Sequence, residues 1–337
     1  MKISFVIPAY NEEAYLPICL EAVLREKKRG KHDMEIIVVN NASTDSTRAV
    51  ALSFPDVKVV DQPKKGLAFA RQAGFENSTG DLIANIDSDS VLTPEWLDTA
   101  VEHFSNNPKL VALSGPFVYH DFTHFSNMLV RIKYNVDSIF RFFTQLFLKH
   151  GAILQGGNFI VRRETLIKTG GFDPAFVFWG EDTNLAKQLS PHGKVHFTFK
   201  LPIYSSGRRL KGEGYVTAGL KYIVNYFWTI FFNRPYSKSY IDIRKSQKDQ
   251  KQFQSTMASF NRVLFYFRLG FIFIIFTLLG GSAYVYDRVA WTVVPMTATA
   301  STVLIEDHPI LAKVHSSIAK IREKVNALEA EFDSDDK

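Results

Sequence analysis

The chain has 337 residues, of which 46% are hydrophobic and 22% charged, which predicts a folded protein with a sizeable core. The net charge is +6, but the basic residues collect in loops rather than in an arginine-rich helix. This argues against a nucleic-acid partner and favours an anionic membrane surface or a phosphorylated substrate. Cys19 is the single cysteine, so we expect no internal disulfide and a soluble part that faces the cytosol.

The first part of the chain alternates between short apolar runs and segments with helical spacing. Strands are predicted at KISFVIP, MEIIVVN, VKVVDQ and GDLIANID, and a helical pattern follows each of them. The predicted helix N-caps are Asn11, a residue near Ser43, and Thr93 with Pro94 in the first turn. Alternation of this kind predicts an α/β fold, with a mainly parallel sheet flanked by helices.

Aromatic residues become frequent further along the chain. Amphipathic helices are predicted at FSNMLVRIKYNVDSIFRFFTQLFLKH and GLKYIVNYFWTIFFNRP. Each is either an interfacial helix at a membrane or a core helix with one solvated face. The uncharged run 269–286 approaches the roughly 20 apolar residues that span a bilayer, and 289–305 could be a second, weaker span. Lysines upstream of the first span place its N-terminal side in the cytoplasm.

Polar segments follow three of the predicted strands. The turns read PAYNE after the first strand, NNAS after the second and DSDS after the fourth. Ligands of parallel sheets bind beyond the carboxyl ends of the strands, so we expect these turns to meet. The first turn lacks the G-x-G-x-x-G pattern of dinucleotide-binding folds, which argues against a nicotinamide or flavin cofactor.

Asp87 and Asp89 are the residues with the most specific chemistry in these turns. Two carboxylates at positions i and i+2 can reach one divalent cation, and Mg²⁺ or Mn²⁺ prefers oxygen ligands. A polar turn that happens to contain two aspartates is the alternative. Asn40 and Asn41 could read the edge of a nucleobase or stabilise a tight turn. Arg71 could face phosphates near a helix N-terminus or form a surface salt bridge.

Five segments in order resemble the motifs of glycosyltransferase family 2. They are VIPAYNEE, VVNNASTDST, GLAFARQAG, IDSDS and WGEDTNLAKQL, and the similarity covers roughly residues 1 to 210. The resemblance implies a GT-A fold and a nucleotide-sugar donor. It implies that Pro8, Tyr10 and Glu12 line the nucleotide pocket, with Asp87 and Asp89 as the D-x-D metal site and Asp89 as the principal ligand.

The second motif departs from the family pattern, which usually has paired aspartates. Asn40 and Asn41 stand at those positions, so the resemblance does not fix the nucleotide base.

The resemblance also assigns residues in the second half of the match. Asp182 would be the base that removes a proton from the acceptor hydroxyl in an inverting reaction, and Glu181 beside it could raise its pKa. A helix N-terminus that favours acids is the alternative. On the acceptor side stand Gly157, Asn158 and Trp179, although Trp179 fits a core position equally well. Arg208 and Arg209 lie in a basic loop that could close over the donor diphosphate or face a membrane.

These inferences divide the chain into five parts. Residues 1–115 are predicted as the nucleotide-sugar-binding half and 116–240 as the acceptor-side half with interfacial helices. A basic linker (241–262), a membrane region of one or two spans (263–305) and a polar helical tail (306–337) follow.

The leading hypothesis is an inverting transferase that moves one sugar, with Mg²⁺ or Mn²⁺, to a lipid or lipid-linked acceptor. It would work at the cell membrane with its catalytic domain in the cytoplasm. The Q-x-x-R-W pattern of polymer-extruding synthases is absent, which favours a single transfer. A metal-dependent nucleotidyltransferase and a non-catalytic membrane scaffold are the alternatives.

Overall fold

A computed structural model describes residues 1–123, 126–128, 130–135 and 154–236 of the chain. No helix within these ranges is long and apolar enough to cross a bilayer. The predicted spans at 269–286 and 289–305, the linker and the tail lie outside the described residues, as does most of the first predicted amphipathic helix.

Within the described ranges the main sheet has seven strands, and it continues across the predicted boundary at residue 115. In chain order its strands are β1 (Ile3–Ala9), β2 (Met34–Asn40), β3 (Val57–Asp61), β4 (Leu82–Ile86), β6 (Leu110–Ser114), β8 (Asn158–Arg162) and β9 (Lys194–Phe197). Their order across the sheet is β3-β2-β1-β4-β8-β6-β9. β8 is antiparallel to β4 and β6, and every other pair is parallel.

A smaller sheet of three strands lies beside the main one. It comprises β5 (Val91–Leu92), β7 (Phe117–Tyr119) and β10 (Ile203–Ser205), in the order β5-β10-β7. β10 is antiparallel to β5 and parallel to β7. Because β5 follows the DSDS turn directly, this sheet fixes the far side of that turn.

Helices cover both faces of the main sheet. They are α1 (Leu16–Arg29), α2 (Thr47–Leu52), α3 (Leu67–Glu76), α4 (Trp96–Asn106), α5 (Arg163–Thr169), α6 (Glu181–Leu189), α7 (Arg208–Glu213) and α8 (Tyr215–Phe232). Alternate residues of β1 point to opposite faces, so Phe5 packs in a core with Leu20 and Trp96, while Val6 packs in a second core with Phe159. The predicted α/β fold is confirmed.

The helix starts differ from those predicted. The cap at Asn11 is wrong: α1 begins at Leu16, and Asn11 adopts a left-handed φ of 52° in the turn after β1. Its backbone N–H donates to the Ser43 hydroxyl at 3.1 Å, so both predicted caps instead join the loops after β1 and β2. α2 begins only at Thr47, and α4 at Trp96 rather than just after Thr93.

Candidate active site

The loops after β1 and β2 are held together at the edge of the sheet where the parallel strands end. The Glu12 backbone N–H donates to the Thr47 hydroxyl at 2.7 Å, and the Glu12 side chain is only 1% exposed. Pro8 and Tyr10 are partly exposed at the end of β1, and the Lys65 ammonium lies 3.7 Å from the centroid of the Tyr10 ring. The stacking role predicted for Pro8 and Tyr10 stays a prediction.

Asn40 and Asn41 have different surroundings. The Asn40 side-chain N–H donates to Asp61 at 2.9 Å, across the β2–β3 pair. The Asn41 amide donates to the carbonyls of Gln62 and Lys64 and accepts the Gly66 backbone N–H at 2.8 Å. Asn41 therefore organises the loop that leads into α3. For this residue the structure shows the turn-stabilising alternative.

Arg71 lies on α3 and is 1% exposed, so the phosphate-facing position predicted for it is wrong. Its guanidinium forms an ion pair with Glu181, lies 3.5 Å from an Asp87 oxygen and sits 5.1 Å from the centroid of the Phe159 ring. Burial lowers the pKa of Arg71, but the nearby carboxylates outweigh that effect and raise it. Arg71 thus joins the turn after β4 to the first turn of α6, and it has no surface on which to meet a diphosphate.

Glu181 and Asp182 begin α6, as predicted, and face different partners. Burial raises the pKa of Glu181 to about 7; Arg71 counteracts this shift and the Asp182 charge adds to it. Asp182 accepts the Gly156 backbone N–H at 3.1 Å and the Thr183 backbone N–H at 2.7 Å. Burial raises the pKa of Asp182 as well, against these donors. The two neighbouring acids therefore differ in both hydrogen bonding and charge environment.

Gly157 lies against the Asp87 carboxylate, while its neighbour Asn158 forms hydrogen bonds inside the core. Gly157 has a φ of +85°, and a Cβ at this position would overlap the Asp87 side chain. Asn158 is fully buried: it accepts the Trp96 indole N–H at 2.9 Å and donates to the carbonyls of Pro116 and Leu201. These bonds give the Asn158 side chain a structural role inside the core, and its place on the acceptor side stays a prediction.

Trp179 is a core residue, which was the alternative to sugar stacking. It is 3% exposed and makes edge contacts with Phe178 and Tyr222, with ring centroids 5.1 Å and 5.2 Å away. Trp179 thus ties the loop before α6 to α8, and its burial favours the core role over stacking on a sugar.

Arg208 and Arg209 are adjacent on α7 but have separate roles. One Arg208 nitrogen contacts Glu12 and lies 3.0 Å from an Asp89 oxygen, so this guanidinium lies between two carboxylates. Arg209 pairs with the fully buried Glu213 carboxylate at 2.9 Å and lies over the Phe178 ring. Of these two arginines, Arg208 contacts the carboxylates of the candidate site, whereas Arg209 pairs within α7 and packs on the loop before α6.

The first half of the chain is similar to known glycosyltransferases. The model described as Glycosyl transferase family 2 matches residues 4–170. These residues form a glycosyltransferase family 2 domain. A glucosyl-dolichyl phosphate glucuronosyltransferase of Haloferax volcanii is 31% identical, over 35% of this chain and 39% of that protein. A dolichyl-phosphate beta-glucosyltransferase, ALG5A, of Trichomonas vaginalis is 37% identical, over 26% of this chain and 30% of that protein.

The matched regions thus span well under two thirds of these family 2 relatives. Among solved structures, the mannosyltransferase PcManGT from Pyrobaculum calidifontis, in complex with GDP-Man and Mn²⁺, is 22% identical. The alignment covers 66% of this chain and 64% of that one, with a TM-score of 0.46.

A divalent cation fits the donor side of this family 2 domain only together with other ligands. No group of three or more His, Cys, Asp or Glu in the described ranges could hold a metal ion. Mg²⁺ and Mn²⁺, however, commonly use one or two carboxylates plus substrate phosphates. The Arg208 guanidinium shows that Glu12 and Asp89 accommodate positive charge, whereas Asp87 faces Arg71. The donor set is compatible with the predicted metal, and joint coordination by Asp87 and Asp89 stays a prediction.

Two residues that shape the site were not predicted. Gly156 donates its backbone N–H to Asp182, and the paired glycines of LQGGNF were the available signal. Asp121 accepts the Gly207 backbone N–H at 2.6 Å and pairs with Lys211 at 3.2 Å, which anchors α7. No local pattern marks Asp121, because its partners lie about ninety residues further along the chain.

Proposed function

We propose that this chain is an inverting glycosyltransferase, which moves one sugar from a nucleotide-diphosphate sugar to a lipid or lipid-linked acceptor at the cytoplasmic face of a membrane. The observation that carries the proposal is the buried Arg71 guanidinium, which contacts both Asp87 and Glu181. Through this contact the turn after β4 and the first turn of α6 form one site. A donor-binding turn and an acceptor-activating helix must be this close for a direct transfer.

On the donor side, this chain offers carboxylates and the Arg208 guanidinium near the proposed diphosphate position. A bound Mg²⁺ or Mn²⁺, held by Asp89 with Asp87 or Glu12, would neutralise charge on the departing nucleoside diphosphate. Tyr10 and Pro8 offer the partly exposed surface on which a base can stack. Arg208 is the side chain of α7 that can provide a planar fork to phosphate oxygens.

On the acceptor side, the attacking oxygen would form a bond to the anomeric carbon as the bond to the diphosphate breaks, with inversion at that carbon. If the acceptor is a hydroxyl, Asp182 takes its proton, and the Gly156 and Thr183 N–H groups hold that carboxylate in place. If the acceptor is a phosphate of a polyprenyl lipid, its oxygen is already an anion. Asp182 would then orient substrate without accepting a proton.

The lipid acceptor is supported by the names of two relatives and by the end of α8. Both relatives carry dolichyl phosphate in their names. Phe231 and Phe232 in the last turn of α8 are 58% and 53% exposed, and Tyr236 just beyond is 59% exposed. Exposed aromatic rings in adjacent positions are typical of surfaces that meet apolar partners such as lipid.

A ligand screen on the purified full chain tests the proposal. Thermal unfolding is followed with nucleotide sugars, with and without Mn²⁺, because a ligand that binds only the folded state raises the unfolding temperature. We expect at least one nucleotide sugar to stabilise the chain and to release a nucleoside diphosphate when a lipid acceptor is added. Diphosphate released from a nucleoside triphosphate would instead identify a nucleotidyltransferase. If no nucleotide binds under either condition, the chain is a non-catalytic scaffold.

A further inference from the structure

The Arg208 guanidinium lies between two acidic side chains of the proposed donor site. Glu12 is 1% exposed, and the Asp89 side chain is 13% exposed. One nitrogen of Arg208 contacts an oxygen of each. Two carboxylates this close repel one another unless a cation lies between them, so the position that Arg208 fills is one that a cation must fill.

The helix that carries Arg208 is held in place by contacts that do not involve the Arg208 side chain. α7 is anchored by Asp121, which binds Gly207 and Lys211, and by the ion pair between Glu213 and Lys221 of α8. The Arg208 guanidinium itself lies 4.6 Å from the centroid of the Tyr15 ring, and its side chain is 23% exposed. It can therefore leave the two carboxylates by rotating about its own bonds, without unfolding of α7.

We propose that the Arg208 guanidinium neutralises Glu12 and Asp89 when no donor is bound. A divalent cation then binds Asp89 only together with a diphosphate, which binds the guanidinium in place of the two carboxylates. This inference rests on the proposed donor site. It makes Arg208 a positioning residue that couples metal binding to donor binding, in addition to any contact it makes with the donor.

The coupling follows from charge balance. A divalent cation that enters alone must displace a guanidinium from two carboxylates, and it leaves that guanidinium without an acidic partner in a half-buried position. A diphosphate supplies oxygens for both cations, because phosphate binds a guanidinium bidentately and also ligates Mg²⁺ or Mn²⁺. Thermodynamic linkage then requires that diphosphate and metal strengthen each other's binding by the same factor.

The test measures Mn²⁺ binding rather than turnover. Free Mn²⁺ is quantified by electron paramagnetic resonance during titration of the full-length wild type, Arg208→Gln and Lys211→Gln, first alone and then with UDP or GDP. Lys211→Gln is the matched control, since it removes one positive charge from the same helix, its acidic partner is Asp121, and Asp121 still holds α7 through the Gly207 backbone N–H. We expect Arg208→Gln to bind Mn²⁺ alone about tenfold more tightly than the wild type, and Lys211→Gln to behave like the wild type.

The same titrations separate failure of this inference from failure of the proposed function. If Arg208→Gln binds Mn²⁺ alone no more tightly than Lys211→Gln, Arg208 does not compete with metal and the inference is overturned. If the wild type binds neither UDP nor GDP with Mn²⁺, the donor site itself is refuted. Should Arg208→Gln fail to fold, Arg208→Lys replaces it. Its point charge binds two carboxylates less well, and unchanged Mn²⁺ affinity in that variant would equally overturn the inference.

Discussion

Replacing Gly157 by alanine tests whether the Asp87 carboxylate must occupy the position seen beside β8. Asp87 Oδ1, the most distant of the three overlapping carboxyl atoms, would lie 2.5 Å from the new Cβ, whereas real Cβ contacts essentially never fall below 3.0 Å. Asp87 must therefore rotate away from its place near Arg71. A hydrogen bond or ion contact to a charged group is worth about 1.5–3 kcal/mol, so we expect nucleotide affinity to fall by at least about tenfold.

Gly170→Ala is the matched control for this substitution. Gly170 ends α5 with a φ of +80°, close to the +85° of Gly157, but a Cβ there meets nothing within 4 Å. Both variants carry the conformational cost of alanine in the left-handed region, about 1–2 kcal/mol of unfolding free energy. Only Gly157→Ala also displaces a carboxylate, so the difference between the two variants isolates the effect on Asp87.

The assay is calorimetric titration of both variants with UDP and GDP in the presence of Mn²⁺, after thermal unfolding has confirmed that each is folded. We expect Gly170→Ala to bind within twofold of the wild type while Gly157→Ala binds about tenfold or more weakly. Equal affinities in the two variants would refute the reasoning, because Asp87 would then tolerate displacement.

Three further substitutions have expected outcomes. Burial raises the pKa of Asp98, but hydrogen bonds from Lys31, His32 and Arg29 outweigh this effect and lower the pKa from an ordinary 3.8 to about 2. Asp98→Asn should therefore lower the unfolding free energy by about 2 kcal/mol near neutral pH, and denaturant titrations should show the difference shrinking as the pH falls from about 4 to 2; a constant difference would contradict this. Asn158→Ala leaves buried hydrogen-bonding groups without partners and should cost about 3 kcal/mol in the same measurement, so a loss under 1 kcal/mol would be inconsistent with the buried network. Asp182→Asn should reduce turnover about 10²- to 10⁴-fold with a hydroxyl acceptor but only slightly with a polyprenyl phosphate, as followed by nucleoside diphosphate release; equal losses with both would exclude a role as base.

The strands of the first half could be predicted because their apolar runs are short, continuous and rich in β-branched residues. The helix starts could not be predicted as well. Asn11 and Ser43 have the side chains of good caps, but here they bond to each other across neighbouring loops. The direction of β8 was also not predictable, since an apolar run preceded by two glycines does not reveal whether the strand is parallel or antiparallel to its neighbours.

In the site, too, features set by neighbouring residues could be predicted, whereas features set by partners far along the chain could not. Glu181 and Asp182 were predicted at the start of a helix, and they begin α6. Arg71 was predicted on a helix, but its burial was not, because its partner Glu181 is 110 residues away. Asn158 and Trp179 were assigned to the acceptor side by resemblance, and the structure shows them bonded or packed inside the core.

The proposed function is the transfer of a sugar from a nucleotide-diphosphate donor to a lipid. Mass spectrometry of the products formed by the full chain with UDP- and GDP-sugars, Mn²⁺ and a polyprenyl phosphate tests it most directly. We expect a lipid that has gained one sugar residue and an equal amount of nucleoside diphosphate. A lipid that stays unmodified while the donors bind, or one that gains a nucleotide or a sugar chain, would contradict it.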